Sequence, residues 1–83
     1  MEVDFLELKD GIRRYRERMN LSMAGLGRIL GTDRSTVLKW EKGESHPTVM
    51  GLIKLAEFFG VTETELLHPT AENEENEDSK NVQ

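Results

Sequence analysis

Cysteine is absent from the 83-residue sequence, and aromatic residues make up only 6% of it. Without cysteine the chain forms no disulfide and offers no thiolate for metal binding or nucleophilic catalysis. Stability must therefore come from helix packing in one small domain, because a chain of this length is too short for a second core. No apolar run of about 18 residues is present. With no signal-peptide pattern either, we expect a cytoplasmic protein that does not enter a membrane.

The sequence also lacks the residue combinations that enzymes and metalloproteins use. The two histidines, His46 and His68, are far apart, and no carboxylates have a spacing suited to a metal. There is no nucleophile and base at a catalytic spacing, and no glycine-rich phosphate loop after a strand. We therefore expect a protein that is not an enzyme and that binds no cofactor and no metal.

Charge is unevenly distributed along the chain. The formal net charge is -5, but residues 11–54 contain nine basic and four acidic residues, a local net charge of +5. Residues 1–10 and residues 70–83 each carry an excess of negative charge. Because the local field decides which partners a surface attracts, the central segment predicts an anionic partner despite the net charge.

Apolar spacing and capping residues predict five short helices. The first is expected to begin near Asp4, which has capping-box spacing to Glu7, and to bury a stripe of residues three or four apart. That stripe comprises Phe5, Leu8, Ile12, Tyr15 and Met19. The second helix is expected over residues 22–30, ended by Gly31. Because its two interior glycines, Gly25 and Gly27, lower its helix propensity, tertiary contacts must hold it. Asp33 is expected to cap the third helix, in which Val37 and Trp40 point into the core.

The last two helices are predicted from the same kinds of signal. Thr48 is expected to cap the fourth helix, which ends at Gly60. Its apolar face would comprise Val49, Leu52, Ile53, Leu55, Ala56 and Phe59. Thr62 and Glu65 have capping-box spacing and predict the fifth helix, which contains Leu66 and Leu67.

Residues 70–83 contain five acidic residues, one lysine and no large apolar residue except Val82. Such a segment cannot bury enough surface to become ordered, so we predict one domain over residues 1–69 and a disordered acidic tail over residues 70–83. Three roles remain open for the tail. It is a solubilising end, an electrostatic competitor for the basic face, or a docking segment for a protein partner.

The segment from Leu21 to Trp40, extended through Glu41-Lys42-Gly43 and Pro47, resembles the helix-turn-helix of the lambda repressor/Cro-like family, the XRE type. The matching positions include Leu26, Leu30-Gly31 and Arg34-Ser35-Thr36-Val37, and the likeness covers about residues 12–67. This resemblance implies an all-α, compact five-helix domain. It also implies sequence-specific binding of double-stranded DNA, with the helix at about 33–42 in the major groove, and regulation of transcription, most simply as a repressor.

The resemblance also implies roles for individual residues. Arg34, Ser35, Leu38 and Lys39 match base-reading positions, with Arg34 suited to guanine and Leu38 to a thymine methyl group. Lys42, Ser45, His46, Thr48 and Met23 match positions that contact phosphate. Met23 departs from the glutamine that the family commonly has there, and a thioether is a poor substitute. Arg16 and Glu41 match a partly buried ion pair that fixes the angle between two helices.

Two questions of assembly and function stay open at this point. Family members usually bind DNA as homodimers, and Phe58, Leu66 and Leu67 are candidates for the dimer interface unless they complete the core. The alternative function is an antitoxin or coregulator, in which the same fold serves as a protein-interaction module. Met23 and the acidic ends favour that alternative, whereas Arg34, Lys39 and Lys42 oppose it.

Overall fold

The computed structural model describes residues 5–69 of the chain, and the regular structure there is entirely helical. It contains α1 (Leu8–Arg18), α2 (Met23–Ile29), α3 (Arg34–Lys42), α4 (Val49–Phe59) and α5 (Glu63–Leu67). The predicted all-α class with five helices is confirmed. Among these residues, no helix combines the length and apolarity needed to cross a bilayer. The predicted tail over residues 70–83 lies outside the described residues.

Side-chain caps begin four of the five helices. In each case a side-chain oxygen accepts a hydrogen bond from the backbone amide three residues later, and the capping residues are Ser22, Asp33, Thr48 and Thr62. Glu65 completes a capping box with Thr62. A cap satisfies an amide that has no partner within the helix, which stabilises the helix by about 1 kcal/mol. The predicted caps of α3, α4 and α5 are confirmed.

The start of α1 differs from the prediction. The helix begins at Leu8, and Glu7 occupies the capping position without a side-chain capping hydrogen bond. Residues 5–7 are not helical, so the predicted helix start near Asp4 is wrong. The predicted capping box involves Asp4, which lies outside the described residues. At the other end Met19 follows the last helical residue and is 45% exposed, so it does not continue the apolar stripe.

The core is a single cluster to which all five helices contribute. It consists of Leu8, Ile12, Tyr15, Leu26, Val37, Trp40, Leu52, Leu55, Ala56 and Leu66. Each fully buried aliphatic side chain contributes roughly 1.5–3 kcal/mol to folding. Tyr15 and Trp40 are core residues, as their spacing predicts.

The structure decides the placement of four apolar residues that the sequence left open or predicted wrongly. Leu66 is fully buried, and Phe58 and Leu67 are half-buried against the core, so these residues complete the core and Leu66 cannot form a dimer interface. Val49, the first residue of α4, is 73% exposed, so its predicted place on the apolar face is wrong.

Two glycines allow helices to approach at backbone distance. A Cβ at Gly27 would lie 2.7 Å from the carbonyl carbon and oxygen of Asp33, so α2 meets the start of α3 with no room for a side chain. A Cβ at Gly11 would collide with the carbonyl oxygen of Leu66, which brings α5 against α1. Both glycines therefore have a packing role, and the first of them sets the position of α3.

Candidate nucleic-acid interface

Helix α3 has one buried face and one exposed face. Val37, Trp40 and Glu41 are buried, whereas Arg34, Ser35 and Lys39 are exposed. This division follows from helical periodicity, because residues three and four apart share a face. Leu38 is half-buried at the edge of the exposed face. The helix thus exposes a guanidinium, a hydroxyl and an ammonium group to solvent, while its opposite face is fixed in the core.

The first turn of α3 is ordered by the carboxylate of Asp33. Its Oδ1 atom accepts hydrogen bonds from the Thr36 amide at 2.9 Å and from the Ser35 hydroxyl at 3.1 Å. The pKa of Asp33 lies below its usual value, first because the Thr36 amide donates to the ionised form, and further because of the Thr36 and Ser35 side chains. The capping residue and Ser35 therefore form one hydrogen-bonded unit.

A buried ion pair joins α3 to α1. Arg16 donates from Nε to Glu41 Oε2 at 2.6 Å and from Nη2 to Oε1 at 3.0 Å, and Glu41 is 1% exposed. Arg16 Nη1 also donates to the Leu21 carbonyl oxygen at 2.8 Å, in the turn before α2. The hydrogen bond with Glu41 raises the pKa of Arg16. One guanidinium thus links α1, the connection to α2, and α3.

A second arginine supports this pair and was not identified from the sequence. Arg13 Nη2 donates to the Glu41 carbonyl oxygen at 3.3 Å, and its Nε lies 3.7 Å from Glu41 Oε1. Its spacing could have indicated this role, since Arg13 lies one helical turn before Arg16 on the same face of α1.

The loop between α3 and α4 is held by an aromatic contact that crosses the sequence. The rings of His46 and Phe5 stack with centroids 4.1 Å apart and an angle of 3° between their planes. His46 Nδ1 also lies 3.1 Å from the Pro47 carbonyl oxygen. His46 remains exposed on the outside of the loop. No local pattern indicated this contact, because the partners are 41 positions apart.

Three of the residues assigned to phosphate contact line a common groove between α3 and the start of α4. The groove has a volume of about 430 Å³. Ser45, His46 and Thr48 line it together with Trp40 and Lys54. Lys42 is not part of its lining and forms an exposed ion pair with Glu44 at 3.5 Å.

Met23 does not line this groove, and its chemistry differs from that of the residues that do. It is the first residue of α2, is half-buried, and packs against the core. Its thioether is a weak acceptor and provides no donor. Within the described residues, no cluster of histidine and carboxylate side chains has a geometry that could hold a metal ion.

The comparisons with known proteins agree with this geometry. The helix-turn-helix family matches residues 12–66. An HTH-type transcriptional regulator of Methanocaldococcus jannaschii is 37% identical over 54 residues, covering 65% of this chain and 82% of the relative. An HTH-type transcriptional regulatory protein of Methanoregula boonei is 39% identical over 57 residues, covering 66% of this chain and only 18% of that longer relative.

A solved structure shares the fold. The P22 c2 repressor, crystallised in complex with a synthetic operator, superposes with a TM-score of 0.70 at 24% identity, covering 76% of this chain and 96% of the repressor chain. The order of the five helices, the exposed face of α3 and the family match lead to one assignment. The chain belongs to the lambda repressor-like helix-turn-helix family of DNA-binding transcriptional regulators.

Proposed function

We propose that this protein is a sequence-specific repressor that binds duplex DNA as a homodimer and reads the major groove with α3. The observation that carries the proposal is the exposed face of α3, where Arg34, Ser35 and Lys39 project from a helix whose other face is buried. An α-helix fits the major groove of B-DNA, and base edges there present distinct donors and acceptors. Two copies on half-sites one helical turn apart would add their contacts.

Within this proposal, Arg34 donates two hydrogen bonds to guanine O6 and N7. Ser35 and Lys39 contact neighbouring bases from the same exposed face, and Leu38 meets a thymine methyl group at its edge. Arg34 is in the first turn of α3, where side chains reach base edges most directly. The fixed cap at Asp33 supports this role because it prevents the first turn from fraying.

Contacts with the phosphate backbone are assigned to the groove between α3 and α4. Ser45, His46 and Thr48 line it, and the exposed Lys54 beside them adds a positive charge that the motif did not identify. Lys42, at the end of α3, gives up its exposed ion pair with Glu44 and contacts phosphate instead. These contacts fix the register of the protein on DNA without reading sequence. Met23 can contribute only van der Waals contact at its position.

The test is binding to a duplex from upstream of the protein's own reading frame, measured by fluorescence anisotropy against a scrambled duplex over a salt series. We expect affinity to fall steeply with salt and the upstream duplex to be preferred by about a thousandfold or more. The stoichiometry at saturation is expected to be two protein chains per site. Weak, equal affinity for every duplex, including those enriched from a random library, would contradict the proposal.

Arg34→Ala provides the sharpest single-residue prediction. The variant should lose about 1–3 kcal/mol of discrimination at one guanine position, because the bidentate pair is removed. Arg34→Lys is the matched control, since it keeps the charge and loses the fork of donors. We expect it to retain nonspecific affinity while losing most of the preference. Unchanged preference in both variants would mean that α3 does not read bases through this residue.

One observation favours the alternative of a protein-interaction module. Met23 occupies a family phosphate-contact position, yet it packs against the core and offers no hydrogen-bond donor. If the binding test fails, the next experiment is to look for a complex with the product of an adjacent reading frame. The acidic segment 70–83 is the proposed contact for such a partner.

A further inference from the structure

Ser35 has only one hydroxyl hydrogen to donate, and in the structure it donates that hydrogen to Asp33. The Ser35 hydroxyl oxygen lies 3.1 Å from Asp33 Oδ1. An ionised carboxylate accepts hydrogen bonds and cannot donate them, so the shared hydrogen must come from the serine. The hydroxyl oxygen keeps two lone pairs, and Ser35 is exposed in the first turn of α3.

We propose that Asp33 is a specificity-positioning residue, which restricts Ser35 to accepting a hydrogen bond from a base. This inference rests on the proposed function, because it concerns which base Ser35 reads. In the major groove, the donors are the N6 amino group of adenine and the N4 amino group of cytosine. Ser35 therefore recognises an amino group and disfavours the acceptor atoms of guanine and thymine at the same place.

The restriction is effective because the carboxylate is itself held in place. Asp33 Oδ1 also accepts the Thr36 amide at 2.9 Å, as the cap of a nine-residue helix. The helix N-terminus and these donors favour the ionised form of Asp33. A hydrogen bond from a hydroxyl to an ionised acceptor is stronger than one between neutral groups, so rotating the Ser35 hydroxyl toward a base acceptor is unfavourable.

The preferred base sequence does not by itself show whether Ser35 accepts a hydrogen bond from the base or donates one to it. Every base pair contains one base with an amino group in the major groove, adenine or cytosine. The test therefore uses duplexes in which one functional group of one base is removed. Purine in place of adenine, or pyrimidin-2-one in place of cytosine, removes the amino group, whereas 7-deazapurines remove the N7 acceptor.

The experiment starts by selecting duplexes from a random library with the full-length protein and with Ser35→Ala. The position at which only the serine protein shows a preference is the base pair that Ser35 reads. At that pair, removing the amino group should weaken binding of the natural protein about fivefold, as expected for one hydrogen bond. The Ser35→Ala protein should be insensitive to the same change, which controls for the weaker base pairing of the analogue.

The Asp33→Gly variant tests the role of the carboxylate itself. Glycine is tolerated at a helix cap with a small loss of stability, and it leaves Ser35 free to donate or accept. Reversing the base pair places an acceptor where the amino group was. This reversal should weaken the natural protein about tenfold and the glycine variant less than about threefold. Circular dichroism and thermal melting check that the glycine variant is folded.

The outcomes separate this inference from the proposed function. Selection without any enriched duplex overturns both. Two outcomes overturn the inference alone. In the first, duplexes are enriched but no position depends on Ser35. In the second, the 7-deaza base weakens binding and removal of the amino group does not. Equal sensitivity of the natural and Asp33→Gly proteins to base-pair reversal overturns the role of Asp33.

Discussion

At the scale of single residues, the ion pair between Arg16 and Glu41 shows how burial changes the effect of a charge. Glu41 is 1% exposed, and its carboxylate receives two donors from one guanidinium. Most of the energy of such a pair offsets desolvation of the two charges, so its net contribution is small while both partners are present. Removing Glu41 takes both carboxylate acceptors from the Arg16 guanidinium, and the exposed Glu17, 3.9 Å away, is a weak replacement.

Glu41→Ala should therefore destabilise the protein by about 3–5 kcal/mol, as measured by urea unfolding. The matched control is Glu44→Ala, which removes an exposed pair with Lys42 and should change stability by less than about 1 kcal/mol. If Glu41→Ala leaves the protein unfolded, Glu41→Gln keeps the shape and tests the charge. Similar stabilities for the Glu41 and Glu44 variants would mean that the buried pair does not hold α1 and α3 together.

The capping carboxylate of Asp33 predicts a dependence of stability on pH. Its pKa in the folded protein is lowered from 3.8, so the ionised cap stabilises the fold fully above the unfolded pKa. That stabilisation is lost as the pH falls through the folded pKa. Asp33→Asn keeps an oxygen acceptor without the charge. The stability difference between the two proteins should therefore be constant near neutral pH and shrink below about pH 4, measured by urea unfolding.

These residues also mark how far the sequence could predict the site. The Asp33 and Thr62 caps join residues three apart, so their hydrogen bonds follow from local sequence. The Arg16 and Glu41 contact spans 25 positions and was expected only through a family resemblance. No sequence pattern predicted the stacking of Phe5 on His46, since it depends on where the non-helical segment before α1 packs against the domain.

At the scale of helices, the position of α3 depends on its approach to α2. Gly27 permits that approach, because a Cβ there would lie 2.7 Å from the backbone of Asp33. The two glycines of α2 predicted that tertiary contact holds this helix, although the sequence could not identify the contacting residue. The sequence predicted the start of α1 wrongly, because Asp4 and Glu7 have capping-box spacing but residues 5–7 are not helical and the helix begins at Leu8.

Gly27→Ala should destabilise the protein by about 1–3 kcal/mol despite the better helix propensity of alanine, because α2 and the start of α3 must separate. DNA affinity should fall with it, since the same displacement moves Arg34. Gly25→Ala is the matched control in the same helix. Its Cβ would lie 3.2 Å from Ser22 Oγ, the cap of α2, so this cap needs to shift by only a few tenths of an ångström. Thermal melting should change little in the control, and an equal loss in both variants would contradict the packing role of Gly27.

At the scale of the whole molecule, charge is separated along the chain. Residues 11–54 carry a net charge of +5, and residues 70–83 carry five acidic residues against one lysine, a net charge of -4. The potential of the whole protein acts on a polyanion over about a Debye length, roughly 10 Å at 0.1 M salt. The acidic segment should therefore weaken DNA binding in general without changing which sequence is preferred.

Deletion of residues 70–83 should raise affinity for scrambled duplex at least as much as for the selected site, and the gain should shrink as salt increases. Anisotropy titrations at two salt concentrations measure both effects. The matched control is the full-length chain with its five acidic tail residues changed to asparagine and glutamine, which should bind like the deletion. A deletion that binds like the intact chain at low salt would mean that the tail charge does not reach the DNA-binding surface.

Trp40 provides a fluorescence signal for both the folding and the binding of this protein. It is the only tryptophan in the sequence, is 9% exposed, and lines the groove between α3 and α4. Indole emission shifts to longer wavelength in water and is quenched by nearby groups. The tryptophan emission of the protein therefore comes from one ring beside the proposed phosphate contacts. Its emission can follow unfolding and occupation of the groove in the same unlabelled sample.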